Sequence, residues 1–114
     1  MLSRKLLASA SLSTIVCSLA VTALAQDGFK SSKFLTYPSE SQKSYIDTAA
    51  VAATVVVSLN SASQAKCLGD WVAKHRQGNF GPVLDAMRKF PDDHPMGLII
   101  AVLQKECGAF KYGK

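Results

Sequence analysis

Beyond the first 25 residues, the side chains best equipped for chemistry are Cys67, Cys107, His75 and His94. A cysteine thiolate with a histidine base would be a nucleophilic pair, provided that the two rings and sulfurs meet. Cys67 and His75 fall eight positions apart on one predicted helix, roughly 12 Å along its axis, so they do not touch directly. The cysteines lack CxxC spacing, and no other thiol accompanies them in that part of the chain. Asp92-Asp93-His94 looks like a fragment of a metal or acid–base site. Consecutive side chains diverge, however, and the chain holds only 2 histidines, so a helix-capping turn is the better reading. No glycine-rich phosphate loop is present. No catalytic residue, metal ligand or cofactor is therefore expected. Binding is the better class of function.

The compartment decides what the cysteines do. Residues 1–25 begin with Arg4 and Lys5, continue as an uncharged run from Leu6 and end Ala23-Leu24-Ala25. This is the pattern of a cleaved secretory signal, with small residues at −3 and −1. Six serines and threonines dilute the apolar run, which argues against a retained membrane anchor. Val16 stands where lipid attachment at Cys17 would want a small residue. The expectation is a periplasmic or secreted protein with no membrane span once the signal is cut. Cleavage removes Cys17, and in an oxidising compartment Cys67 and Cys107 then have one possible pairing. The loop they close is worth about 4 kcal/mol in the chain-entropy model.

Charge is less informative. The 114-residue chain carries a formal +5, which falls by two with the signal. The remaining cations are scattered, with Arg88-Lys89 the one adjacent pair, so there is no basic stripe of the kind that nucleic acid requires.

Four helices are needed to position these residues. Residues 26–37 form a leader: Gln26–Lys33 is expected to be loose, and Phe34–Tyr37 to lie over the domain. Pro38 with Ser39-Glu40-Ser41-Gln42 has the form of a capping box. Tyr45, Ile46, Ala49, Ala53, Val56 and Val57 then recur at helical spacing. Ala49–Val57 is apolar almost all round, as in a helix that is central or shared with a partner chain. A second helix carries Cys67, Leu68, Trp71 and Val72 and stops near Gly78, with Trp71 read as core. A third follows Pro82 with a stripe of Val83, Leu84, Met87 and Phe90. A fourth starts at Pro95, capped by Asp93 or His94, with Met96, Ile99, Ile100, Leu103 and Cys107 inward. The reading is all-α: a small bundle of about four helices over residues 38–110, with both cysteines on inward faces and a short tail at 111–114.

The paired cysteines, the run Gln42-Lys43-Ser44-Tyr45-Ile46 and the Phe90-Pro91-Asp92-Asp93-His94-Pro95 turn before the last helix resemble the type VI secretion immunity proteins of the Rap/Tai group. The likeness covers residues 34–108. Thr48 stands where that family commonly has glycine, and the extra cysteines of many members near the first helix are missing. The resemblance implies a small periplasmic protein, commonly a homodimer, that binds a peptidoglycan amidase toxin and plugs its cleft. Two turns would suit such a role: Gln77-Gly78-Asn79-Phe80, with Phe80 as an aromatic anchor, and the acidic Asp92-Asp93-His94. The runner-up resemblance is to periplasmic acid-stress chaperones of the HdeA/HdeB type, in which the first cysteine precedes the main helix.

Overall fold

The computed structural model describes residues 28–110, and the expectations for residues 1–25 and 111–114 lie outside the described residues. Among the described residues five helices succeed one another: α1 Ser31–Phe34, α2 Ser39–Ser58, α3 Ala62–Arg76, α4 Gly81–Lys89 and α5 Pro95–Cys107. The all-α expectation holds, with one short helix more than the four anticipated.

The longest helix starts differently from its capping box. Pro38 occupies the cap position of α2, and the Ser39 side chain caps nothing. Gln42 is turned backward instead. Its Nε2 donates to the carbonyls of Phe34, Leu35 and Tyr37 at 3.4, 3.1 and 3.0 Å, so it fixes the preceding turn rather than the helix end. At the next junction Ser61 behaves as a cap should, its hydroxyl accepting from the Gln64 N–H at 3.2 Å.

Helices α2 and α3 share the most extensive contact, and α5 packs against both. The buried centre joins Ile46, Ala50 and Val57 of α2 to Leu68, Trp71 and Val72 of α3 and to Leu98, Ile99 and Leu103 of α5. Val83 and Met87 of α4 and Phe34 of α1 close it. Each large side chain removed from water contributes about 1.5–3 kcal/mol. Phe34 is fully buried, as expected of a segment lying over the domain, but residues 29–33 before it are not loose. Ser31 opens α1 and is itself buried, so the chain belongs to the fold at least from there.

Several inward stripes are rotated from their expected setting. On α5, Met96 and Ile100 are half-buried and Leu98 takes a core place. Phe90 was expected on the buried stripe of α4 yet is 54% exposed. The helix ends at Lys89, and the non-helical backbone of Phe90 (φ −126°) swings its ring off the stripe. Val56 is also 54% exposed, because α2 buries one narrow face and leaves the rest uncovered.

Candidate functional site

Cys67 and Cys107 form the expected disulfide, with Cα atoms 5.8 Å apart. Neither sulfur is available as a thiolate in this state. The staple is not an inward one: Cys67 is exposed and Cys107, the last residue of α5, is half-buried. Trp71, one turn beyond Cys67, takes the buried position instead. Beside the staple, the Gln64 Nε2 donates to the carbonyls of Cys107, Gly108 and Ala109 at 3.2, 3.0 and 2.9 Å. A covalent and a polar tie thus hold the end of α5 against α3.

The histidines go elsewhere. His75 lies against the Trp71 ring, centroids 4.6 Å apart. His94 sits at the opposite end of α5 from Cys107, roughly 20 Å away along a 13-residue helix. Its Nδ1 accepts from the Met96 N–H at 3.1 Å, so His94, not Asp93, caps α5. The sequence-level candidates for a thiol–histidine pair are therefore not brought together.

The two candidate turns part company. Phe80 is 0% exposed and its ring stacks on Trp71 at 6.0 Å, so it is a core residue and not an exposed anchor. Asn79 and Phe80 both have left-handed backbones (φ 55° and 59°), where glycine had been expected to provide that geometry at Gly78. The conformation costs roughly 1–2 kcal/mol at a non-glycine residue. It lets Phe80 serve both neighbouring helices: its N–H donates to the His75 carbonyl at 2.9 Å, and its own carbonyl accepts from Val83 and Leu84. Burial of the ring offsets the strain.

The second turn remains outside. Pro91, Asp92, Asp93 and His94 are all exposed, the Asp92 side chain at 86%. The turn closes through the Asp93 N–H and the Phe90 carbonyl at 3.1 Å, with Pro91 at the position where its fixed φ is favoured. It is braced from behind by residues 29–32. The Ser31 N–H and hydroxyl both donate to the Asp93 carbonyl (2.9 and 2.8 Å), and the Ser32 N–H to that of Pro91 (2.9 Å). Phe29 meets the His94 ring edge-on at 5.7 Å and is itself surrounded by Phe34, Tyr37 and Tyr45. Lys30 adds a loose ion pair to Asp92 at 3.8 Å, worth little in water.

A third feature was only partly foreseen. The exposed residues of α2 from Ser41 onward are Ser41, Ser44, Thr48, Val51, Ala52, Val55, Val56 and Ser58, followed by Leu59, and none is charged. Val51, Val55, Val56 and Leu59 are 44, 60, 54 and 80% exposed. The apolar run was visible in the sequence, but which face it left open depended on where α3 and α5 pack. Of the charged residues of α2, Asp47 is paired with α3. Arg76 Nε and Nη2 donate to the Asp47 carboxylate at 3.1 and 2.9 Å, tying α3 to α2 and raising the guanidinium pKa through that hydrogen bond and its attendant charge attraction. The hydrogen bond and charge of Asp70 likewise raise Lys66 on the surface of α3.

No protein-family model, curated protein or solved structure matches this chain.

Proposed function

We propose that this chain is an exported protein that acts by binding another protein, with the acidic turn Pro91–His94 as its docking element. The observation that carries the reading is the combination of exposure and bracing at that turn: its side chains face solvent while three hydrogen bonds from Ser31 and Ser32 hold its backbone. A loop ordered before contact loses less conformational freedom on binding, so more of its interaction energy remains as affinity. Asp92 and Asp93 suit a basic rim on the partner. The resemblance to the type VI immunity group makes a peptidoglycan amidase the partner of first choice, and a plugged cleft the mode of action.

Mixing the mature chain with a purified type VI peptidoglycan amidase and following muropeptide release tests this. Stoichiometric inhibition is expected, and Asp92→Lys with Asp93→Lys abolishes it while the helical circular dichroism stays unchanged. Full amidase activity in the presence of excess wild-type chain, with no complex on a sizing column, overturns the amidase reading.

The uncovered apolar face of α2 favours a second reading, a client-holding chaperone of the acid-stress kind. Suppression of client aggregation at about pH 2–3, where carboxylates are protonated, would support it; no suppression there would remove it.

A further inference from the structure

We infer that the Cys67–Cys107 disulfide is a thiol-exchange site, entered at the Cys67 sulfur by an external thiolate and closed again by Cys107. The two cysteines differ in access. Cys67 is exposed on α3, whereas Cys107 is half-buried and packs on the core. Exchange begins when a thiolate attacks one sulfur from the side opposite the other, so access selects the sulfur.

The leaving group pulls the other way, more weakly. Attack at Cys67 expels a thiolate at Cys107, the last residue of α5, where the helix dipole disfavours negative charge. That penalty is about five-fold at most, and Lys105 in the same turn offsets part of it. Attack at Cys107 would instead require parting the end of α5 from the core. Entry at Cys67 therefore prevails.

The step balances as an exchange. The incoming thiolate forms a new S–S bond to the Cys67 Sγ, the Cys67–Cys107 bond breaks, and its electron pair leaves on the Cys107 Sγ. The incoming sulfur is oxidised to a mixed disulfide and the Cys107 sulfur is reduced to a thiolate. Attack of that thiolate back on the Cys67 Sγ expels the visitor and restores the staple.

Gln64 makes the return efficient. It lies one turn before Cys67 on the same face of α3, and its Nε2 bonds to the carbonyls of Cys107, Gly108 and Ala109 are separate from the disulfide. Gln64 is 7% exposed, so water competes little for those bonds. With the S–S bond open, they keep the end of α5 on α3, and re-closure is an intramolecular event at high effective concentration. The site lies at the opposite end of α5 from the His94 cap, so exchange is independent of the proposed docking turn.

The test applies short pulses of glutathione to oxidised residues 26–114, followed by acid quenching, alkylation of the freed thiol and peptide mapping. Glutathione on Cys67 with the alkyl group on Cys107 should exceed the reverse labelling by about tenfold or more. The rate of attack should stay constant through urea concentrations that leave the helical circular dichroism unchanged. Equal labelling, or a preference for Cys107, overturns the inference. So does a rate that climbs from the first addition of urea, because exchange then runs through unfolding and not through an open sulfur. A second arm replaces glutathione with a CxxC dithiol protein whose second cysteine is changed to serine. A mixed disulfide through Cys67 that forms faster than with glutathione assigns the site to a protein thiolate. The same bond formed only by glutathione assigns it to a small thiol, and its formation with neither overturns the site. Gln64→Met keeps the side-chain length and removes the donors, so it should slow re-closure about fivefold or more while the labelling ratio stays the same. Re-closure at the wild-type rate in that variant overturns the role given to Gln64, as does wild-type re-closure no faster in the folded chain than in denaturing urea.

Discussion

The two interhelical turns, Gln77–Phe80 and Pro91–His94, look alike in sequence and have opposite roles in the structure. Both are short, polar and bounded by proline or glycine, and each carries or adjoins a phenylalanine. The first draws its aromatic residue into the core, where Phe80 is fully buried on Trp71. The second expels its aromatic neighbour, leaving Phe90 54% exposed, and keeps its own side chains in water. The first turn is held from within by a ring, and the second from behind by the strap of residues 29–32. A turn held by its own buried side chain has little left to present. One held by another segment keeps its side chains free for a partner.

Substitution should separate the two turns cleanly. The largest effect is expected at Phe80→Ala, with a stability loss of about 3–5 kcal/mol from the emptied ring site, measurable by urea unfolding. If the loss were under about 1 kcal/mol, Phe80 would be no core residue. Cys67→Ser comes next. The disulfide closes a loop of 40 positions containing both turns, and opening it should lower stability by about 4 kcal/mol at most, since the reduced chain retains some structure. The same loss should appear when the wild type is unfolded under reductant.

Ser31→Ala should cost about 1 kcal/mol, because the Asp93 carbonyl loses one of its two donors. Its informative consequence is local: amide exchange at Asp93, the amide that closes the braced turn, should quicken while exchange at Phe80 stays as it was. Asp92→Ala should change stability by no more than about 0.5 kcal/mol, given its loose and exposed ion pair with Lys30. A large loss of partner affinity from that same substitution would mark the residue as a contact and not a support.

Periodicity showed much of this fold in advance. Helix content, the places where α4 and α5 begin and the burial of Trp71 could be read from spacing and composition, while the Cys67–Cys107 pairing followed from setting Cys17 aside with the signal. Burial was harder where one backbone angle decided it. Nothing in Gln77-Gly78-Asn79-Phe80 announces that Asn79 and Phe80, rather than Gly78, adopt left-handed geometry, and that choice is what turns the ring inward. Gln42 read as a capping residue because its spacing from Ser39 fits, but three carbonyls of the preceding turn compete for the same amide. The bracing of the second turn joins residues more than sixty positions apart, such as Ser31 and Asp93. No local pattern contains such a contact.

Hydrogen exchange of residues 26–114, alone and with a saturating peptidoglycan amidase, tests the central claim most directly. The account predicts added protection at Asp92, Asp93 and His94 and none at Asn79 and Phe80. A complex that protects the Gln77–Phe80 turn and leaves Asp92–His94 exchanging as in the free chain would contradict it.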